Sequence, residues 1–280
     1  MRDLDMVQSC IPKRIIQTGK SSTLPLKEKA SVCNLKLLNP DFEYLFFDDK
    51  QVEAFIDQYF PEYLELFDSF PFLIQRYDFF RYLAVYKYGG FYFDLDVFLA
   101  SSLSGLLDSG CVFPFECLTL SHHLRNHHGI DWQIGNYAFA ATQGHPFLKA
   151  VIENCVRAQK DPAWVQPMMT GVPFLSRSEY LVLNTTGPGL LTRTLAKSPA
   201  LAKDVLVLFP DDVCDVRLWH RFGDLGVHLM DGSWRTKRGF VLRPLGRYWE
   251  LWWMQKLLAE SRKLGKARSH HAIARAPSSH

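Results

Sequence analysis

Cysteine is sparse and scattered in this 280-residue chain: Cys10, Cys33, Cys111, Cys117, Cys155 and Cys214, with no C-x-x-C anywhere. That spacing excludes a local zinc motif or a thioredoxin-like pair and reads as reduced, structural thiols. No apolar run reaches the roughly 20 residues needed to cross a bilayer. No early segment combines a charged start, a long apolar core and a small-residue cleavage site. Together these absences lead to the expectation of a cytoplasmic protein. Excess charge is lacking too, since 32 Lys and Arg against 29 Asp and Glu leave +3. No basic run interleaved with aromatics occurs before residue 230, so nucleic acid is not an expected partner. What is plentiful is apolar material, 48% of the chain with 21 phenylalanines. That suffices for one large α/β domain and leaves a second full domain cramped.

The informative stretch runs from Arg76 to Phe98, R-Y-D-F-F-R-Y-L-A-V-Y-K-Y-G-G-F-Y-F-D-L-D-V-F. Phe72, Phe79, Leu83 and Tyr86 recur at helical steps, which predicts an amphipathic helix over 72–88. Gly89-Gly90 ends it, because glycine turns the chain out of a helix through positive φ at little cost. Phe91-Tyr92-Phe93 then reads as a buried strand. Continued as a strand, Asp94 and Asp96 share one face. Two carboxylates so placed repel, and one stays protonated unless a cation sits between them. A hard divalent ion, Mn²⁺ or Mg²⁺, is the economical partner, since it combines one or two carboxylates with phosphate oxygens. Asp78 and Arg81, three apart on the helix, add an acceptor for sugar hydroxyls and a guanidinium fork for phosphate. A bare D-x-D reads more readily as a strand-end turn with exposed acids. The D-x-x-R helix and the aromatic strand around it shift the reading to a metal–nucleotide site.

D-F-F-R-Y-L-A-V-Y-K-Y-G-G-F-Y-F-D-L-D-V resembles the sugar-binding D-x-D region of glycosyltransferase family 32. That family includes fungal initiating α-1,6-mannosyltransferases, inositol-phosphoceramide mannosyltransferases and bacterial polysaccharide enzymes; clostridial toxin glucosyltransferase domains are related more distantly. The resemblance implies a GT-A-like α/β fold, a nucleotide-sugar donor, a divalent metal and retention of anomeric configuration. It implies catalytic roles for Asp78, Arg81, Asp94 and Asp96. Asp96 would hold the metal directly and Asp94 the donor and metal. Arg81 would neutralise the leaving diphosphate, and Asp78 would position donor hydroxyls.

Other segments extend the resemblance. Ile11-Pro12-Lys13-Arg14-Ile15-Ile16-Gln17 resembles the opening strand, I-P-K-x-I-H-Q-x-W, which implies donor contacts at Gln17 and Thr18. Gly19 stands where a tryptophan often stands. Asn39 to Asp49 reads as a second strand, with Asp48-Asp49 capping a helix over 51–58, and residues 61–70 as an aromatic connection packed on the core. Asn136 to Leu148 reads as strand, turn and helix; the family pattern puts Asn136 on the acceptor side, and His145 shapes the turn. Thr185-Thr186-Gly187-Pro188 opens a helix whose N–H groups suit a phosphate or sugar, and Gly187 is the implied donor contact. A strand follows at Val205 to Leu208. His228-Leu229-Met230-Asp231-Gly232-Ser233-Trp234 resembles the closing element, in which His228 completes the metal site and Ser233 and Trp234 touch the diphosphate. His122, His123, His127 and His128 have spacing suited to a transition metal but no closing cysteine or acid, so a solvated acceptor-side loop is expected.

The expected organisation is one domain over 1–235, with a mostly parallel central sheet and helices on both faces. A basic helical extension over 236–268 and a disordered tail over 269–280 follow. Trp249, Trp252, Trp253 and Leu257 share one helical face, which either docks on the domain or touches an anionic membrane. The expected activity is retaining transfer of a hexose from a UDP- or GDP-linked donor to a glycan or glycolipid acceptor, in bacterial surface polysaccharide or glycolipid synthesis. A toxin-like protein glycosyltransferase and a non-catalytic nucleotide-sugar binder remain the alternatives.

Overall fold

The computed structural model describes residues 10–119, 121–172 and 174–229. The expectations at Ser233, Trp234, the basic helix over 236–268 and the tail lie outside the described residues. Strand β1 (Arg14–Thr18) runs parallel to β2 (Glu43–Phe47), and helix α1 (Leu26–Leu38) connects them. Helix α2 (Asp49–Tyr59) begins as expected on Asp48, whose carboxylate accepts from the Gln51 N–H while the Gln51 side chain accepts from the Asp48 N–H. This reciprocal cap satisfies two donors that a bare helix start leaves orphaned. A short turn and helix α3 (Leu64–Ser69) lead to α4 (Leu73–Tyr88). Here the sequence reading needs adjusting. Every residue from Asp78 to Val85 is buried, so α4 is enclosed all round rather than along one stripe.

Gly89 and Gly90 deliver α4 into β3 (Gly90–Phe93) with φ of +63° and +107°. A Cβ on Gly90 would stand 2.7 Å from the Arg14 carbonyl oxygen, which belongs to backbone and cannot swing aside. We expect Gly90→Ala to lower unfolding free energy by at least ~2 kcal/mol, from the forbidden φ and the clash together. Urea unfolding measures this, and a change below a few tenths of a kcal/mol contradicts it.

The remaining strands are β4 (Val97–Leu99), β5 (Cys111–Leu118), β6 (Trp132–Ile134), β7 (Ala138–Ala141), β8 (Val205–Leu208), β9 (Arg221–Phe222) and β10 (Gly226–His228). The remaining helices are α5 (His122–His128), α6 (Pro146–Lys160), α7 (Pro162–Val165), α8 (Arg177–Thr185), α9 (Pro188–Lys197) and α10 (Pro199–Ala202). The main sheet has the order β2-β1-β3-β7-β5-β6, and β8 pairs with β5 as well. Strands β2, β1 and β3 run together; β7 opposes β3, and β5 opposes β7 and runs with β8. Five strands therefore point one way, with β7 and β6 reversed, which is the mostly parallel sheet expected.

Its faces are covered unequally. One carries the larger core, where Phe79, Phe80, Leu83, Phe147, Val151 and Leu191 pack from α4, α6 and α9. The other is covered by α1, through Leu35, and by a small sheet of order β4-β10-β9. Ser31 and Asn34 of α1 bond the Val97 and Leu99 carbonyls and the Leu99 N–H, occupying the β4 edge that β10 leaves open. Buried polar residues on a helix are thereby explained: they replace a missing strand.

Candidate active site

Strand β3 ends at Phe93, so Asp94, Leu95 and Asp96 form the turn between β3 and β4 instead of continuing a strand. The two aspartates converge because this turn is held on several sides, not through strand alternation. Asp94 N–H donates to the Tyr137 carbonyl at 2.7 Å, and Val97 N–H returns to the Asp94 carbonyl at 3.2 Å. That carbonyl also accepts from Gln17 Nε2 at 3.3 Å, and Leu229 N–H reaches the Asp96 carbonyl at 3.0 Å. Gln17 is fully buried and braced by the Tyr44 hydroxyl at 2.9 Å. Its observed place is thus beneath the turn. Thr18 lies one step further, with Oγ1 3.3 Å from the Tyr92 hydroxyl.

His228 arrives from the far end of the described chain because β10 pairs antiparallel with β4, setting His228 opposite Val97. Its Nε2 stands 3.3 Å from Asp96 Oδ1, and its ring stacks on Tyr137 with centroids 4.1 Å apart. Asp94, Asp96 and His228 offer ligand atoms all within 4.8 Å of one another. Ligands sharing one Mg²⁺-sized ion at ~2.1 Å span at most about 4.2 Å, so small side-chain adjustments suffice. Nε2 is thus the His228 nitrogen shown beside the aspartates, and Nδ1 is buried with no hydrogen-bond partner. Burial pushes the Asp94 carboxyl above its ordinary range, and Asp96 pushes the same way against Arg81 and His228. Burial lowers His228, but the Asp96 bond and charge outweigh it and leave the imidazole raised. Two carboxylates and an imidazole strained in this way fit a hard divalent ion, with the remaining positions open to diphosphate oxygens.

Arg81 does not face an open cleft. Its side chain is 4% exposed and lies between two carboxylates, 3.2 Å from Asp78 Oδ1 and 3.3 Å from Asp94 Oδ1. It also donates to the Asn136 carbonyl at 2.8 Å and sits over the Tyr92 ring, 4.7 Å from its centroid. Asp78 is held as closely. Asn136 Nδ2 donates to Oδ1 at 2.9 Å, and the Thr186 hydroxyl to Oδ2 at 2.9 Å. Asn136 thus clamps the Asp78–Arg81 pair, with its side-chain Nδ2 on Asp78 and its backbone carbonyl on Arg81. The Gly187 N–H is bonded to the Val182 carbonyl at 3.1 Å. In that T-T-G-P turn it is the Thr186 hydroxyl that reaches the site. A Cβ on Gly19 would lie 3.0 Å from the side-chain tips of Leu95 and Phe46, so a larger residue there requires both to shift.

Sequence reasoning missed Tyr92, whose hydroxyl donates to Asp94 Oδ1 at 2.9 Å. The signal was present: Tyr92 precedes Asp94 by two and leaves the strand on the same side. Tyr82 was missed as well. It stands four residues from Asp78 and donates to the Thr186 carbonyl at 2.6 Å. The histidine segment departs from the open loop expected, because residues 122–128 form α5, capped by Ser121. His145 does shape the turn, as α6's cap, with Nε2 2.9 Å from Asp204.

Burial holds the Asp78 carboxyl up at about 6, against an ordinary 3.8, with Arg81 and the Thr186 bond opposing the rise. A carboxyl raised by folding contributes stability that is fully present below 3.8 and lost as pH rises through about 6. Comparison with Asp78→Asn isolates this group. The stability of wild type relative to the variant should fall across that window, and a constant difference in urea midpoints would contradict the assignment.

Residues 25–113 match the family described as "Glycosyltransferase sugar-binding region containing DXD motif". The chain is 35% identical over 149 residues to inositol phosphoceramide mannosyltransferase 3 of Schizosaccharomyces pombe, covering 53% of this chain and 38% of that protein. It is 29% identical over 209 residues to inositol phosphoceramide mannosyltransferase 2 of the same yeast, covering 72% and 53%. It thus spans about half the length, or less, of these relatives. Among solved structures, PaToxG glycosyltransferase aligns with a TM-score of 0.47 at 16% identity, over 68% of this chain and 70% of that one.

Proposed function

We propose that the chain is a glycosyltransferase of the kind whose DXD-containing sugar-binding region matches residues 25–113, and that it transfers a hexose from a nucleotide diphosphate sugar to an acceptor hydroxyl. The observation that carries this reading is the convergence of Asp94, Asp96 and His228 within 4.8 Å. When bound, Mn²⁺ or Mg²⁺ supplies Lewis-acid neutralisation of charge on the leaving diphosphate. The chain's own residues do the rest. Asp94, Asp96 and His228 orient the site, and Arg81 and Tyr92 fix the Asp94 carboxylate from behind. Asp78, 5% exposed and occupied by Arg81, Asn136 and Thr186, is a positioning group and no candidate nucleophile. That supports retention by front-face attack, with the leaving phosphate taking the acceptor proton.

The names of the yeast relatives favour mannose as the sugar and an inositol-containing glycolipid as acceptor over a bacterial polysaccharide. No helix among the described residues is long and apolar enough to cross a membrane. A cytoplasmic enzyme touching an anionic membrane through residues 236–268 remains part of the proposal, and cell fractionation tests it. The activity itself is tested by nucleotide release from UDP- and GDP-hexoses with Mn²⁺, with and without inositol phospholipid. Release from one donor, enhanced by acceptor, supports the reading. Tight nucleotide binding with no release from any donor would replace it with a non-catalytic binder.

A further inference from the structure

We propose that α5, α6, α7 and α9 build a second binding site, around Arg193 and Trp164, for a phosphate-type oxyanion. Arg193 is only 3% exposed. One of its terminal nitrogens donates to the Trp164 carbonyl at 2.5 Å, and its guanidinium lies 3.7 Å from the centroid of that indole. Its Nε is buried with no partner. Two exposed cations approach the same ring, Arg157 from α6 at 5.4 Å and Lys197 from α9 at 5.9 Å. Among the described residues no acid forms an ion pair with Arg193 or Lys197. Asp161, beside Trp164 in sequence, is occupied as the cap of α7, accepting from the Trp164 N–H at 3.2 Å.

Helix α5 packs against α9 and brings a histidine group. The His123 ring lies 5.1 Å from His127 and 5.2 Å from His128, and Nε2 of both His123 and His128 is buried without a partner. Burial, with the charges of Arg193 and Lys197, holds both imidazoles below their usual range. A transition metal is the obvious rival for such rings. The neighbouring cations oppose it, and among the described residues only Asp94, Asp96 and His228 converge closely enough to ligate. An oxyanion resolves every strained feature at once. It neutralises a buried guanidinium that has no counter-charge, accepts from the idle Nε, and accepts from whichever imidazole N–H faces it. Arg193 lies more than a helical turn beyond the start of α9, away from Thr186 and the metal-binding turn. The inference therefore stands independently of the transferase reading.

The test uses the whole chain in EDTA, so that the metal-dependent diphosphate site is not loaded. Inorganic phosphate is titrated at constant ionic strength against chloride, and binding is read from the ring resonances of His123 and His128. A saturable shift of both is expected, weakened about tenfold or more by Lys197→Glu and by Arg157→Glu. Arg193→Met should abolish it. Should that buried variant fail to fold, the two exposed substitutions decide alone. No saturable shift, or shifts unchanged in both exposed variants, overturns the proposal. Phosphatidylcholine vesicles with and without phosphatidic acid then distinguish the sources. Binding to the anionic vesicles that Lys197→Glu abolishes identifies a lipid headgroup, whereas phosphate binding without it identifies a soluble phosphate.

Discussion

Asp96→Asn should abolish hexose transfer and Mn²⁺-dependent nucleotide binding while leaving the thermal transition close to that of wild type. Among the described residues Asp96 is one of three groups that converge to hold an ion, and its carboxylate lies 3.3 Å from His228 Nε2. An amide keeps the volume but removes the charge that a hard cation demands. Loss of Lewis-acid stabilisation worth several kcal/mol corresponds to at least ~10³ in rate. The fold should survive because the turn is held by backbone bonds, from Leu229 N–H to the Asp96 carbonyl and from Asp94 N–H to the Tyr137 carbonyl. Those bonds do not use the side chain. Steady-state release of nucleotide and calorimetric titration of nucleotide with Mn²⁺ measure the two losses. Unchanged turnover in the variant, or full wild-type activity in excess EDTA, would sink the metal-site reading.

Arg81→Lys should lower turnover more than tenfold and also raise the Mn²⁺ concentration needed for half-maximal activity. The second effect separates the structure's account from the simpler one. A guanidinium facing the diphosphate would change catalysis without changing the metal requirement. The observed Arg81 instead reaches Asp78, Asp94 and the Asn136 carbonyl at once, so its fork determines where the Asp94 carboxylate points. An ammonium retains the charge but cannot make three directed contacts from one rigid plane. Asp94 is then free to rotate, and the ion must be bound by a less ordered set. Arg81→Met tests the stabilising half of the same contact. It strands Asp78 as a buried, unpaired carboxylate, for which breaking an enclosed ion pair costs ~3–5 kcal/mol. Wild-type kinetics and wild-type Mn²⁺ dependence in Arg81→Lys would leave Arg81 as a purely structural partner of Asp78.

Much of the architecture was written locally. Gly89-Gly90 closed the helix because positive φ is a property of single residues, and Asp48 capped α2 because the Gln51 N–H it accepts from is three residues away. Strand and helix alternation likewise depends on neighbours a few positions apart, and it predicted a mostly parallel sheet. The D-x-D was legible as a candidate site for the same reason: the two acids, the aromatic strand before them and the D-x-x-R helix all lie within twenty residues of one another. Tertiary structure decided what those residues face. Nothing near Asp78 in sequence indicates that Thr186 and Asn136 will occupy its oxygens. Nor does local pattern show that β10 delivers His228 beside Asp96, or that α9 leaves Arg193 buried among histidines and cations. Those placements follow from strand order and helix packing, which depend on the summed burial of the whole core. A side chain's partners across the fold are consequences of that sum, and the residue types alone carry only its capacity to bond.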